Sequence, residues 1–269
     1  MIKKSIIILM ILISIFLSGC KTPDPPDPIT YRGFFVGVGD YMYLDNMDLS
    51  SPAPNTNRLK SLFSQAKFGK KETKFSIIKR LVDHNATKEN ILNGILETFA
   101  GADDDDVSYF YYMGHGGVRN GTPIITPTDY TGKFDTTITV HELEKHLNMI
   151  PGTKVVFLES CHSGSFIDRG DNNFNDMVID IFAQKSRDLM NKESYQVLTC
   201  GKGSEYCYTG YDWSYFCKNL IKGCENLTAD TNEDEIVDIS ELYQYIKLNV
   251  TKQTVQIYPE GSIFPIIEY

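Results

Sequence analysis

The chain has 269 residues, with 26 Lys and Arg against 35 Asp and Glu and a formal charge of −9. An acidic chain with no basic run argues against a nucleic-acid surface and suits cationic substrates. Hydrophobic residues are 42% of the total, enough over this length for one α/β domain with a sizeable core.

The first stretch reads as an export signal. Lys3 and Lys4 precede an apolar run over residues 6–17, and Leu17-Ser18-Gly19-Cys20 matches a bacterial lipobox. This pattern predicts removal of residues 1–19 and lipidation of Cys20, so that an exported protein is anchored to a bacterial membrane at the cell surface or the periplasmic face. Loss of Lys3 and Lys4 leaves 24 basic residues against 35 acidic ones, a charge of −11. Residues 20–30 hold Pro23, Pro25, Pro26 and Pro28, the composition of a stiff tether. Residues 31–269 remain as one domain.

Apolar runs predict strands over residues 31–38 and 75–82. Helical spacing appears at Leu59, Leu62, Phe63 and Ala66, and again over residues 87–99 through Ile91, Leu92, Ile95 and Leu96. Four aspartates at 103–106 lack the alternating spacing of a calcium loop and read as a solvated turn. A strand over residues 107–113 then ends on Gly114-His115-Gly116-Gly117. Thr139 and Glu142 have capping-box spacing ahead of a helix through Leu143 and Leu147, which Pro151-Gly152 closes. Residues 155–158 form a strand that delivers Glu159, Ser160 and Cys161. Residues 166–191 mix a polar stretch with a helical one over 177–190. A short strand at 195–199 and an amphipathic helix at 213–221 follow. Strands alternating with helices predict a mostly parallel sheet with helices on both faces. Cys200, Cys207, Cys217 and Cys224 form two pairs, each seven apart. In an exported protein these allow one or two disulfides, or four free thiols in the core. No cysteine or histidine spacing suggests structural zinc.

A thiol and an imidazole, each at the carboxyl end of a core strand, make a nucleophile and base pair. Cys161 supplies the thiol and His115 the imidazole, and the N–H groups of Gly116 and Cys161 are candidates for an oxyanion hole. His162 takes a packing role, and His84, His141 and His146 read as surface residues.

Tyr111-Tyr112-Met113-Gly114-His115-Gly116-Gly117 and Leu158-Glu159-Ser160-Cys161-His162-Ser163-Gly164-Ser165 together resemble the caspase and metacaspase superfamily. Residues 35–41, 125–129, 197–200 and 208–220 extend the likeness over residues 31–269. The resemblance implies a caspase-like α/β fold and a cysteine endopeptidase with His115 and Cys161 as its dyad. It needs no cofactor for the chemistry and takes a peptide or protein substrate. Glu159 stands where metacaspases carry aspartate and accept arginine or lysine, where caspases carry glutamine and accept aspartate, and where legumain-like relatives carry glutamate and accept asparagine. Strand alternation puts Glu159 on the same side as Cys161, so Glu159 is the candidate acid of the S1 pocket and the expected cleavage follows Arg or Lys. The metacaspase Asn-Asp-Ala triplet is replaced by Pro54-Asn55-Thr56-Asn57, and Asp40 or Asp45 is the candidate substitute for the missing acid. Residues 166–191 fall where relatives carry an activation loop, which makes Arg169, Lys185, Arg187 and Lys192 candidate self-cleavage points.

Near the C-terminus, Asp230, Asn232, Asp234, Ile236, Asp238 and Glu241 occupy positions 1, 3, 5, 7, 9 and 12 of a calcium loop, although Glu235 stands where glycine is usual. The alternative for these residues is an acidic helix start. Three rival functions remain: a non-catalytic calcium-binding surface lipoprotein that keeps the fold, an asparagine-specific legumain-like peptidase, and an acyl-transfer enzyme that uses the same dyad.

Overall fold

The computed structural model describes residues 28–162, 174–188, 195–201, 207 and 212–269, with backbone alone at 161–162 and 185–188. Residues 1–19, Cys20, the tether up to residue 27, Arg169 and Lys192 lie outside the described residues. In chain order the first elements are β1 (Tyr31–Gly37), α1 (Pro52–Phe63), β2 (Phe75–Val82), α2 (Lys88–Thr98), β3 (Val107–Arg119), β4 (Thr122–Ile125), β5 (Ile138–Thr139) and α3 (Val140–Leu147). They are followed by β6 (Thr153–His162), α4 (Phe174–Asp188), β7 (Tyr195–Thr199), α5 (Tyr215–Cys224), β8 (Ile236–Asp238), α6 (Ile239–Asn249), β9 (Gln256–Tyr258) and β10 (Pro265–Glu268).

The main sheet has the order β2-β1-β3-β6-β7-β9. The first five strands run parallel and β9 runs antiparallel to β7. β3 lies near the middle, and its first twelve residues are buried. Alternation along β3 divides the core. Tyr109, Tyr111 and Met113 pack with Leu59 and Phe63 of α1, Phe216 and Leu220 of α5, and Leu242 and Ile246 of α6. Phe110 and Tyr112 face the opposite layer, with Ile91 of α2, Leu143 of α3, and Val178 and Phe182 of α4. The sheet with helices on both faces is therefore as expected.

Local chemistry sets the helix starts. Thr139 caps α3 in a complete capping box with Glu142, and Asp238 caps α6 in the same way with Glu241. The first helix starts and ends earlier than the helical spacing from Leu59 to Ala66 indicates. It begins at Pro52, whose fixed φ suits the first turn, and ends at Phe63. α4 places Lys185 and Arg187 in helical backbone rather than in a loop.

Two expectations are corrected. The strand read as ending on His115 runs on to Arg119, because β4 pairs antiparallel with Gly116–Arg119 and keeps the ladder going. The glycines thus lie inside a strand. The aspartate run is not wholly solvated, since Asp106 is 3% exposed. Its carboxylate takes the Arg32 guanidinium at 2.6 Å and the Thr30 N–H at 2.6 Å, tying the start of β1 to the start of β3. Of the four late cysteines, Cys200 and Cys207 form a disulfide, while Cys217 and Cys224 are buried free thiols.

Burial alone would raise the Asp106 carboxyl, but Arg32 and the N–H groups of Thr30 and Asp103 overcome it and hold it below the ordinary carboxylate value. The stabilisation is therefore present above the unfolded value and lost as pH falls through the lowered one. Asp106→Asn is expected to cost about 2 kcal/mol at neutral pH. In denaturant titrations the gap from wild type should close below about pH 4.

Candidate active site

Tyr112 and Phe110 anchor β3 in one layer and Tyr109 and Tyr111 in the other, so the strand carries His115 out at a fixed height. β6 does the same for Cys161 through Val155, Val156, Phe157 and Leu158, all fully buried. The parallel register then sets His115 directly opposite Cys161 and Gly116 opposite His162. Neighbouring strands lie about 4.8 Å apart, so the register makes the two residues immediate neighbours across the sheet.

The His115 ring is held firmly. It is 4% exposed, and its Nε2 lies 2.6 Å from the carbonyl oxygen of Met47. A carbonyl only accepts, so Nε2 carries the hydrogen and Nδ1 keeps its lone pair. Nδ1 is buried, with no hydrogen-bond partner among the described residues. Burial lowers the imidazole below its ordinary value, against the opposing pull of the Met47 carbonyl and the Asp48 charge. The ring is thus a neutral base at pH 7 with its basic nitrogen free.

Met47 comes from the loop after β1. That loop folds back because the Leu49 N–H reaches the Gly39 carbonyl at 2.7 Å and the Tyr41 N–H reaches Asp48 at 2.9 Å. A side chain at residue 39 would put its Cβ 2.4 Å from the Leu49 oxygen, so glycine is required. Gly116 is required for a similar reason: a Cβ there would fall 1.8 Å from Ser160 Oγ and 2.9 Å from the Ile124 oxygen.

Glu159 is 1% exposed. Its Oε2 accepts the Tyr111 hydroxyl at 2.7 Å, and its Oε1 has no hydrogen-bond partner among the described residues. Burial pushes the carboxyl up to about 7, against the pull of the Ser214 hydroxyl, the Tyr111 hydroxyl and the Cys217 N–H. Two of these groups belong to the start of α5, where the Ser214 hydroxyl caps the Cys217 N–H at 3.1 Å. Asn55 joins them, donating to Ser214 at 3.3 Å. Arg58 is engaged elsewhere, 3.9 Å over the Trp213 ring and bonded to the Asp212 carbonyl at 2.7 Å. No lysine or arginine forms an ion pair with Glu159 among the described residues.

The remaining candidates are placed as follows. The Asp40 carboxylate sits 3.4 Å from His84 Nδ1 on a half-exposed surface. Asp45 is exposed in the short turn that carries Met47. Thr56, in place of the missing acid, turns its hydroxyl back onto the Pro52 and Ala53 carbonyls at 3.1 and 2.9 Å. In the acidic loop, Asp230 accepts the N–H groups of Glu233, Asp234 and Glu235, Asn232 accepts that of Asp234, and Asp234 accepts that of Ile236. Asp238 and Glu241 cap each other, and Glu241 also takes the Thr231 N–H at 2.8 Å. Glu235 adopts a φ of 68°, so the turn forms without glycine. Among the described residues no three His, Cys, Asp or Glu side chains converge as a metal cluster.

Met47, Tyr111, Ser214 and Asn55 are site residues that sequence reasoning missed. Met47 acts through its backbone, which leaves no mark on residue type. Ser214 had a signal, as a serine directly ahead of a helical run.

The family model described as the caspase domain matches residues 33–257. Among solved structures, the chain is similar to a protein from Geobacter sulfurreducens at 14% identity, with a TM-score of 0.64 over 88% of this chain and 97% of that one. It is also similar to caspase-1 from Spodoptera frugiperda at 14% identity, with a TM-score of 0.59 over 89% and 90% of the two chains. At such identity the likeness concerns the fold. No curated protein matches the chain.

A carboxyl raised by burial contributes fully below its unfolded value of 4.5 and loses that contribution as pH rises through about 7. Glu159→Gln removes the titration. Between about pH 5 and 8 its stability should gain on wild type by about 3 kcal/mol, read from denaturant midpoints at each pH.

Proposed function

The chain belongs to the caspase-domain family, and on that premise we propose that it is a cysteine endopeptidase with a Cys161–His115 dyad that cleaves after arginine or lysine. The observation that supports this reading is the register of His115 against Cys161, with an imidazole whose Nδ1 is buried and has no partner among the described residues. In the proposed reaction Nδ1 takes the Cys161 proton and the thiolate adds to the scissile carbonyl carbon. The N–H groups of Gly116 and Cys161 receive the oxyanion. Collapse expels the amine, which takes its proton from His115, and leaves a thioester on Cys161. Water, deprotonated by His115, then releases the acid and regenerates the thiol. No step passes through calcium or a cofactor.

The Arg/Lys preference rests on Glu159, a buried carboxylate with an unpartnered oxygen and no cation beside it among the described residues. A guanidinium or ammonium entering the site would supply the missing charge. Lipidation at Cys20 places the proposed enzyme on an exported membrane face, with the Pro-rich segment as its tether. No helix among the described residues is long and apolar enough to cross a membrane.

Fluorogenic peptides ending in Arg, Lys, Asn and Asp test the reaction and its specificity together. Cys161→Ala and His115→Ala should each cut turnover by about a thousandfold or more, and turnover that survives in either variant would refute the dyad. Equal or better cleavage after Asn or Asp would refute the specificity. Because the Glu159 carboxyl is raised to about 7, kcat/KM on the Arg peptide should climb as pH rises through that value, and Glu159→Gln should abolish the preference.

Cys20→Ser is expected to move the protein from the membrane fraction to the soluble fraction of expressing cells. Retention in the membrane would refute the lipid anchor.

A further inference from the structure

β1 ends at Gly37, opposite Met113 of β3. One more bond follows, from the Val38 N–H to the Met113 carbonyl at 2.8 Å, and the chain then turns away. Alternate residues of a strand direct their peptide groups to the same neighbour, so His115 is the next residue whose N–H and C=O face the side that β1 has left. Buried peptide groups need partners, and those of His115 are supplied unequally. Its carbonyl takes three donors: the Thr126 N–H at 3.0 Å, the Thr126 hydroxyl at 3.0 Å and the Tyr112 hydroxyl at 2.8 Å. Its N–H donates to the Tyr41 hydroxyl at 3.0 Å.

Tyr41 touches the histidine in a second way, because its ring lies 5.3 Å from the imidazole at 37°. It also governs the group on the far side of that ring. The Tyr41 N–H binds Asp48 at 2.9 Å, one residue from the Met47 carbonyl that fixes Nε2. Tyr41, itself 1% exposed, therefore touches the N–H and the ring of His115 and the loop that bears the Met47 carbonyl.

We propose that Tyr41 is the positioning residue of the dyad: its hydroxyl stands in for the missing strand at the His115 N–H, and its backbone steadies the loop whose Met47 carbonyl sets the imidazole tautomer. The inference rests on the peptidase reading above, but one arm of its test does not.

Tyr41→Phe keeps the ring and removes the acceptor. In the full-length protein kcat should fall about tenfold with KM within about twofold, since a tilted base slows proton transfer without touching substrate contacts. The second arm is the imidazole 15N spectrum of Cys161→Ala with and without Tyr41→Phe. The parent should show one Nε2–H tautomer, and the double variant should keep that tautomer, since the Tyr41 N–H and Met47 carbonyl remain, with its imidazole 15N signals shifted. If Tyr41→Phe fails to fold, Asp48→Ala, at an exposed position, releases the same loop from the other side. It should give the same pattern, with kcat lower by about threefold. An unchanged kcat with an unchanged 15N spectrum would overturn the proposal. So would a loss of kcat that comes with a changed KM and a lowered melting temperature while the imidazole signals stay unshifted. If the wild-type protein cleaves no peptide, the peptidase reading fails while the spectra still decide the role of Tyr41.

Discussion

β3 has 13 residues and its neighbour β1 has 7, and the mismatch between them shapes the end of the sheet that carries His115. Peptide groups left without a partner inside a protein cost free energy comparable to a lost hydrogen bond. The overhanging part of β3 is therefore completed piecemeal. β6 continues beside it on one side as far as His162. On the other side β4 folds back over Gly116–Arg119, and between the partners of β1 and β4 a gap of two residues, Gly114 and His115, is left. His115 lies in that gap. Its N–H is completed by the Tyr41 hydroxyl and its carbonyl by the Thr126 N–H with the Thr126 and Tyr112 hydroxyls, and this is why tyrosines, a threonine and a returning loop converge on it.

The same sheet treats two buried carboxylates in opposite ways. At its amino end Asp106 meets a guanidinium and several N–H groups, and its carboxyl is held low. At its carboxyl end Glu159 meets hydroxyls and a helix N-terminus, and its carboxyl rises to about 7. Hydroxyls and a helix end offset only part of the cost of burying a charge, whereas a paired guanidinium offsets more of it. Asp106 is thus a finished structural contact that joins two strand starts. Glu159 is an unfinished one, two residues from Cys161, and perturbed buried groups of this kind cluster at functional sites.

Much of this was legible in the sequence, for identifiable reasons. Strands and helices declared themselves through apolar period, and one capping box was visible as Thr139 with Glu142, while Asp238 and Glu241 read as an acidic helix start whose capping box the structure revealed. The juxtaposition of His115 and Cys161 was legible because both sit in segments of distinctive composition at strand ends. Misreadings came where one residue type serves two ends. Glycines after His115 looked like chain breakers but allow strands to approach, as the tight fit of Gly116 against Ser160 shows. Asp106 looked like one of four solvated acids, and only the fold brings Arg32 to it. The Cys200–Cys207 bridge could not be told from Cys217–Cys224, because both pairs have the same spacing and only the end of β7 brings its pair together. Met47 could not be found at all, since a backbone carbonyl is common to every residue.

Two proton equilibria meet at the site, and their order has a consequence for the proposed chemistry. Burial depresses His115, so the base is neutral throughout the neutral range. Burial raises Glu159, so at about pH 7 that carboxyl carries its proton roughly half the time. A cation arriving beside it favours the ionised form and displaces the proton. On the proposed reading the pocket therefore gains its charge together with its substrate, and does not hold an unpaired carboxylate in the empty state. The base has no such dependence. Its free nitrogen is set by the Met47 carbonyl and the Tyr41 contacts whether or not substrate is present, which separates the group that recognises the side chain from the group that moves the proton.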